Sequence, residues 1–219
     1  PAQSMMVDSP FDYPNQVLLC LPRYLPESHA ENMPHAIIKL TLELIKSAKG
    51  RCFVLFTSYR MMHLVAEGLT TQMDYPVYMQ GQMSKRIILE KFTRHGNAVL
   101  LGTASFWEGV DVRGSTLSCV IIDKLPFAAP DDPLLQAKMQ DCQMQGKDPF
   151  AYIQLPQAVI ALKQGVGRLI RDNKDKGVLV ICDNRLVTRQ YGQVFLKSLP
   201  PMRRTRSLED ANTFLKHIN

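Results

Sequence analysis

The sequence predicts an α/β domain with a doubly wound, mostly parallel sheet and helices on both faces. Uninterrupted aliphatic runs, of which Cys52 to Phe56 and Val178 to Cys182 are the clearest, alternate with stretches of helical periodicity. Runs without polar alternation indicate strands buried on both faces, which is typical of parallel sheets. The 219 residues suffice for one such domain with a sizeable core.

The elements follow from the hydrophobic spacing along the chain. The predicted strands are Val17–Leu21, Cys52–Phe56, Val77–Met79, Ala98–Leu101, Cys119–Ile122 and Val178–Cys182. The predicted helices are 36–48, 61–73, 85–94 after the N-cap Ser84, 134–144, a long helix that ends near Arg171, 186–199, and a last helix that begins at Ser207. Ligands of such sheets gather beyond the carboxyl ends of the strands, so we expect functional loops there.

The chain divides into a short linker and one domain, whose C-terminal stretch is distinct. Residues 1–16 are predicted to be a linker from a preceding half, and residues 17–219 form the domain. Residues 200–219 combine a basic stretch with a helix whose apolar stripe is expected to pack on the domain.

Composition excludes several classes of protein. The net charge of +6 favours a polyanionic partner without establishing one. The five cysteines include no C-x-x-C pair, which argues against a zinc ribbon or an iron–sulfur site in this chain, and four of them sit in apolar runs typical of buried thiols. No apolar stretch reaches the ~18 residues of a membrane span.

Gln164 to Arg171 (QGVGRLIR) gives the strongest functional signal. Wound as a helix, it places Gln164, Gly167, Arg168 and Arg171 on one face, opposite an apolar face. A glycine inside a helix costs roughly 1 kcal/mol, so we expect another molecule to approach the backbone closely. Two guanidinium groups on a rigid helix suit a triphosphate. A solvated basic face with ion pairs is the alternative.

Gly102 to Gly114 (GTASFWEGVDVRG) follows directly on a predicted strand. The hydroxyls of Thr103 and Ser105 can hold a phosphate backbone. Phe106 and Trp107 form an aromatic pair of exposed type, and Trp107 can either stack on a base or pack the loop.

Two acids follow in the same loop, Glu108 and Asp111, with Gly109 between them. They can bind ribose hydroxyls, pair with Arg168 and Arg171, or form a metal site. Two carboxylates without histidine are weak evidence for a metal, and we predict none.

Phe53 to Arg60 (FVLFTSYR) is a predicted strand that ends in polar side chains. Hydroxyls, an aromatic ring and a guanidinium suit contact with a phosphate backbone. The candidates are Thr57, Ser58, Tyr59 and Arg60. An ordinary strand-to-helix turn with Ser58 as N-cap is the alternative.

These three stretches, in this order and spacing, resemble motifs IV, V and VI in the second motor domain of superfamily 2 helicases. Three short sequences narrow the resemblance: FWEGVDV at 106–112, KLPF at 124–127 and SPFDYPNQ at 9–16. They are similar to the DinG/YoaA branch of the XPD-like DNA helicases, and most similar to its bacterial YoaA group. The resemblance covers nearly the whole chain. Motif VI alone is moderately specific, and the three together are strongly so.

The resemblance implies an activity and a division of labour. This family couples ATP hydrolysis to 5′-to-3′ movement on single-stranded DNA through two RecA-like domains. The chain contains no G-x-x-x-x-G-K-[ST] phosphate cradle. The cradle, the metal-binding acids and a 4Fe-4S cluster are then expected in a first half that precedes residue 1. The site would hold ATP and Mg²⁺ jointly, and residues 17–219 alone would not hydrolyse ATP.

The resemblance also implies roles by position. Arg168 and Arg171 match arginines that complete the ATP site as catalytic residues, and Gln164 matches the glutamine that supports them. The remaining ATP-binding positions are Glu108, Gly109, Asp111 and Gly167. The DNA-binding positions are Thr57, Ser58, Tyr59, Arg60, Thr103, Ser105 and Trp107.

The expected partners are single-stranded DNA, the first helicase half and, by the YoaA resemblance, the chi subunit of DNA polymerase III. The proposed docking residues for chi are Arg203, Arg204, Arg206 and Phe214. A role in DNA repair and replication, in the bacterial cytoplasm with the nucleoid, follows from the same resemblance.

Two other functions compete with this interpretation. A nucleic-acid-binding α/β module without catalysis uses the same scaffold. A Rossmann-type enzyme needs a glycine-rich turn after the first strand, where this chain has Pro22 and Arg23.

Overall fold

Seven parallel strands form one sheet in a computed structural model that describes residues 10–103, 106, 116–129, 131–167, 169–170 and 172–219. The strands are β1 (Val17–Cys20), β2 (Cys52–Phe56), β3 (Val77–Met79), β4 (Val99–Thr103), β5 (Cys119–Ile122), β6 (Gly177–Ile181) and β7 (Arg203–Thr205). Their order across the sheet is β3-β4-β2-β5-β6-β1-β7, and every pairing is parallel. The predicted fold class is confirmed.

Helices cover both faces of the sheet. Within the described residues they are α1 (Tyr13–Gln16), α2 (Met33–Ala48), α3 (Tyr59–Thr70), α4 (Lys85–His95), α5 (Pro133–Met144), a π-helical turn (Phe150–Gln154), α6 (Leu155–Val166), α7 (Arg185–Thr188), α8 (Gly192–Ser198) and α9 (Leu208–Ile218).

The side chains of the central strands alternate between two buried layers. In β2, Phe53 and Leu55 face the layer under α4, α6 and α8, whereas Val54 faces the layer under α2, α3 and α9. Every residue of β1, β2, β4, β5 and β6 is buried. This confirms the prediction that uninterrupted aliphatic runs are strands covered on both faces.

Helix boundaries follow local chemistry where the sequence signal was clear. Lys49 and Gly50 take the left-handed backbone conformation (φ 52° and 83°), and they end α2 where the glycine predicted it. Ser58 caps α3 by accepting the N–H of Met61 (3.3 Å), so α3 begins before the predicted residue 61. Ser207 caps α9 in the same way, accepting the N–H of Asp210 (3.2 Å).

Two elements that follow β6 differ from the prediction. The single helix expected over 186–199 is divided into α7 and α8 because the backbone of Arg189 is extended. Gly192 then comes so close to Leu186 that a side chain there would collide with the carbonyl of Leu186. The basic stretch Arg203–Thr205 forms strand β7 beside β1. Its residues lack an apolar pattern because β7 is an edge strand with two exposed arginines.

The cysteines and the termini complete the packing. All five cysteines are free and buried, as predicted for those in the apolar runs. The apolar stripe of α9 packs on the domain, with Ala211 and Leu215 fully buried. The predicted linker includes the helical turn α1, whose Tyr13 packs against the core. In the part of the chain that the structure describes, no helix is long and apolar enough to cross a bilayer.

Candidate functional site

A row of polar side chains lies at the carboxyl ends of the strands, which we call the carboxyl edge. β2 leads into Thr57, β3 into Gln80 and β5 into Asp123, whereas β4 ends at Thr103. Asp183 lies two residues beyond the end of β6. All five residues share one edge because the strands are parallel.

Asp123, only 2% exposed, holds the turn that follows β2. Its Oδ1 accepts the backbone N–H groups of Thr57 (3.0 Å) and Lys124 (2.7 Å), and its Oδ2 accepts the Thr57 hydroxyl (3.4 Å). Burial raises the pKa of Asp123 to about 7, although Lys124 and the hydrogen bonds lower it in part. The turn after β2 is thereby tied to the turn after β5.

Gln80 joins two of the predicted DNA-binding segments. Its Oε1 accepts the backbone N–H of Thr103 (2.7 Å) and the Thr103 hydroxyl (3.0 Å). Its Nε2 donates to the hydroxyl of Tyr59 (2.8 Å). One amide therefore fixes the start of α3 relative to the end of β4.

Asp183 anchors the segment after β5 from the other side. Its Oδ2 accepts the backbone N–H of Leu125 (2.9 Å) and Nη2 of Arg185 (2.6 Å). The hydrogen bond with Asp183 raises the pKa of Arg185. The Arg185 guanidinium also lies 5.5 Å from the ring centre of Phe127, so both ends of the KLPF segment are held.

The structure brings the described DNA-binding candidates together at the carboxyl edge. Tyr59 is 53% exposed and Arg60 is exposed, so both can meet a ligand. Thr57 and Thr103 are more enclosed, and their hydroxyls are bonded to Asp123 and Gln80. Ser58 takes the N-cap position that the sequence offered as its alternative role.

Phe106 corrects one expectation in the neighbouring loop. The sequence suggested an exposed aromatic, but Phe106 is 4% exposed and packs edge-on against Phe53, with the ring centres 6.3 Å apart. The ammonium group of Lys85 lies 5.1 Å from the centre of the same ring. Phe106 is therefore a core residue.

The helix that carries the motif VI-like stretch is shorter than predicted. α6 ends at Val166, and Gly167 closes it by donating its N–H to the carbonyl of Lys163 (3.0 Å). Gln164 is exposed on the last turn. The prediction that one helix continues to Arg171 is wrong, because the chain leaves the helix at Gly167.

After Gly167 the chain turns into the core. Leu169 and Ile170 are both buried, as their apolar character predicted. The side chain of Leu169 packs against Gly177, the first residue of β6, because a Cβ on Gly177 would be only 2.6 Å from Cδ1 of Leu169. These residues therefore lie at the amino ends of the strands, which we call the amino edge, opposite Thr57 and Thr103.

Several predicted ligands lie outside the described residues, and their roles stay predictions. They are Ser105, Trp107, Glu108, Gly109, Asp111, Arg168 and Arg171. Across the described ranges, no three His, Cys, Asp or Glu side chains are grouped as a metal site would require.

Three of the four proposed docking residues, Arg203, Arg204 and Phe214, line a groove of about 630 Å³ between β7 and α9. The Arg203 guanidinium lies 5.7 Å from the ring centre of half-buried Phe214. Arg204 donates from Nη2 to the carbonyl of Leu196 (2.9 Å), and Arg206 donates from Nε to the carbonyl of Leu21 (3.4 Å). Arg206 lies one residue beyond the end of β7 and is not among the residues that line the groove.

Sequence reasoning missed the acids and the amide that organise the carboxyl edge. Asp123 and Asp183 come at the ends of the runs CVIID and VLVICD, so an acid directly after a buried strand was the available signal. Gln80 follows the short strand VYM, and its role depends on a contact 23 residues away that no local pattern indicates.

Comparison with protein families gives one match over most of the chain. The model for the helicase C-terminal domain matches residues 41–202. ATP-dependent DNA helicase YoaA of Escherichia coli is 56% identical over 214 residues, which are 98% of this chain and 34% of that protein. ATP-dependent helicase DinG of Mycobacterium tuberculosis is 36% identical over 220 residues, 100% of this chain and 33% of that protein. The chain spans about a third of the length of the curated relatives it matches.

Solved structures share the fold at low sequence identity. Xpd4 of S. tokodaii aligns with a TM-score of 0.61 and 18% identity over 87% of this chain and 38% of that chain. S. cerevisiae Dbp5 bound to RNA and ADP BeF3 aligns with a TM-score of 0.60 and 12% identity over 94% of this chain and 46% of that chain. The likeness supports a RecA-like fold.

Proposed function

The chain belongs to the helicase C-terminal domain family, and on that premise we propose that it is the second motor domain of an ATP-dependent DNA helicase. One observation carries the proposal: the family match over 41–202 contains all three motif-like stretches, at 53–60, 102–114 and 164–171. We assign the phosphate cradle to a first motor domain elsewhere in the longer protein.

In this proposal Arg168 and Arg171 bind the phosphates of ATP held in a cleft between the two motor domains. Their charges stabilise the negative charge that spreads over the phosphate oxygens during hydrolysis. Gln164 supports the arginines, and the remaining contacts come from Glu108, Gly109, Asp111 and Gly167. Because the arginines bind ATP better when the cleft is closed, ATP shifts the equilibrium towards closure, and hydrolysis reverses the shift.

Single-stranded DNA is proposed to cross the carboxyl edge. Exposed Tyr59 and Arg60 there can stack on a base and pair with a phosphate, contacts that need no particular sequence. The other proposed contacts are Thr57, Ser58, Thr103, Ser105 and Trp107. Leu169 and Ile170, which follow Arg168 in sequence, lie at the amino edge, so the proposed ATP-binding side is opposite the proposed DNA-binding edge. Cleft movement then shifts one DNA grip relative to the other.

Cofactors and setting follow from the same assignment. We assign the Mg²⁺ ion, which neutralises phosphate charge, to the first domain together with the 4Fe-4S cluster. The proposed direction of movement is 5′ to 3′, and the proposed role is DNA repair and replication at the bacterial nucleoid in the cytoplasm.

The groove between β7 and α9 is the proposed contact for the polymerase chi subunit. Removing residues 203–219 would delete a strand and a core helix, so point variants are the better test. Arg203→Glu reverses an exposed charge and should reduce recovery of chi in a pull-down about tenfold. Lys216→Glu, exposed on α9, is the control. Equal recovery by both variants would remove chi from the proposal.

The alternative is a nucleic-acid-binding module without catalysis. The deciding experiment measures ATPase activity of the full-length protein with and without single-stranded DNA. Stimulated turnover that depends on Arg168 and Arg171 supports the motor assignment. DNA binding without ATP turnover supports the module.

A further inference from the structure

Gln16 is a buried amide at the amino edge and the last residue of the SPFDYPNQ segment at 9–16, and it has no role in the sites proposed above. It is the last residue of α1, directly before β1, and is 3% exposed. Its Nε2 donates to the backbone carbonyls of Asp172 (3.0 Å) and Asp175 (2.8 Å). The side chain therefore joins the start of the sheet to a loop more than 150 residues later.

The loop that Gln16 holds is a turn with its own internal hydrogen bonds. The N–H of Asp175 donates to the carbonyl of Asp172 (3.1 Å), and the N–H of Asp172 donates to Oδ2 of Asp175 (2.9 Å). The N–H of Lys174 donates to Oδ1 of Asp172 (3.1 Å). These bonds fix the shape of the turn, whereas the bonds from Gln16 fix its position relative to β1.

Arg171 lies between this turn and the core in sequence. On one side Ile170 is buried, and on the other side Asp172 is the residue whose carbonyl Gln16 holds. The two residues that flank position 171 are therefore both held, Ile170 by burial and Asp172 by Gln16. A guanidinium that stabilises a transition state must be held in place, since a displacement of about 1 Å can cost ~10²-fold in rate.

We propose that Gln16 is a positioning residue for Arg171, an inference that rests on the proposed function of this arginine at the ATP site. Gln16 belongs to the segment predicted to arrive from the first motor domain. Through its two hydrogen bonds, that segment is fastened to the loop that carries the arginine.

The test uses the full-length protein with Gln16→Glu and Gln16→Met. The carboxylate of Gln16→Glu has the same shape as the amide, but it places a hydrogen-bond acceptor against the carbonyl oxygens of Asp172 and Asp175. The methionine of Gln16→Met has no hydrogen-bond donor. We expect the maximal ATPase rate to fall about tenfold in both variants, while the DNA concentration that gives half-maximal stimulation changes less than about twofold. Gln157→Glu, exposed on α6, is the matched control and should behave as wild type.

Two further measurements separate positioning from a merely structural role. Hydrogen exchange over residues 172–176 should become faster in Gln16→Met. In an Arg171→Lys background, Gln16→Met should lower the rate less than about twofold, because it acts through the side chain already altered.

The outcomes are distinct. Faster exchange with an unchanged maximal rate would overturn the proposal, and so would additive effects with Arg171→Lys. If Gln16→Glu fails to fold, Gln16→Met decides, since it buries no charge. A wild-type protein without DNA-stimulated ATPase activity would instead overturn the proposed function.

Discussion

The backbone N–H of Thr57 donates to a carboxylate oxygen of Asp123 over 3.0 Å, although 66 residues separate the two in sequence. The bond crosses from the end of β2 to the end of β5, which are neighbouring strands. It places a titratable group of raised pKa directly under the turn proposed to grip DNA. Protonation of Asp123 is thereby linked to the stability of this turn.

Stability should fall as pH rises through the range in which Asp123 ionises. The folded-state pKa of about 7 exceeds the ordinary value of 3.8, so the native state holds more protons than the unfolded state between these values. One such group contributes a slope of at most about 1.4 kcal/mol per pH unit to the free energy of unfolding.

Urea unfolding across this pH range should show the slope in the wild-type protein and its loss in Asp123→Asn. Asp141→Asn, exposed on α5, should retain it. The same slope in Asp123→Asn and wild type would contradict this account.

Gln80→Met should weaken DNA binding selectively. Methionine keeps the length of the side chain but loses the bonds to Tyr59 and Thr103, so the two segments no longer hold each other. In the full-length protein we expect the half-saturating DNA concentration in an ATPase titration to rise about tenfold. Gln72→Met, exposed beyond the end of α3, should leave it unchanged. A loss of maximal rate at unchanged DNA affinity would argue against this role.

Arg171→Ala in the full-length protein should retain DNA binding and lose ATPase activity by a factor of about 10³ or more. Fluorescence anisotropy with a labelled oligonucleotide and a phosphate-release assay measure the two properties separately. Arg168→Ala is expected to behave alike, whereas Arg94→Ala, exposed near the end of α4, is the control. The 219-residue chain alone should release no phosphate above background. Near-normal turnover in Arg171→Ala would refute the assignment.

Gly167→Ala should lower ATPase activity without lowering the stability of the domain. Gly167 has a helical backbone (φ −62°), and a Cβ there would meet only ordinary contacts, the nearest 3.4 Å away at the carbonyl of Lys163. The melting temperature should therefore hold, whereas ATPase activity should fall about tenfold if ATP approaches this backbone.

Gly177→Ala is the contrasting variant. Its Cβ would lie 2.6 Å from Cδ1 of Leu169 and 2.7 Å from the carbonyl of Ser118, so it should destabilise the domain by about 1–3 kcal/mol. Full activity in Gly167→Ala would show that no ligand needs the glycine.

The sheet was predictable because strands buried on both faces, such as β2, β5 and β6, consist of uninterrupted apolar residues. β7 escaped prediction because an edge strand of three residues, two of them arginine, has no apolar pattern. The extent of α6 was overestimated because Leu169 and Ile170 continue the helical spacing while they enter the core through a turn.

The site was predictable only where a local motif marks it. Tyr59 and Arg60 lie exposed at the carboxyl edge, as a strand that ends in polar residues suggested. The residues that hold this edge together, Asp123 and Gln80, depend on contacts between strands that are distant in sequence. Such contacts follow from the order of strands in the sheet, which periodicity does not specify.

The buried thiols make this domain convenient for distance measurements. Burial raises the pKa of Cys20 to about 12 and that of Cys182 well above its ordinary value, so these side chains are poor nucleophiles towards maleimide dyes. A single cysteine introduced at exposed Leu64 or Leu134 would thus be the reactive thiol of this lobe, with the natural five left in place. Energy transfer from that dye to one on the proposed first motor domain would follow the proposed movement of the cleft in real time.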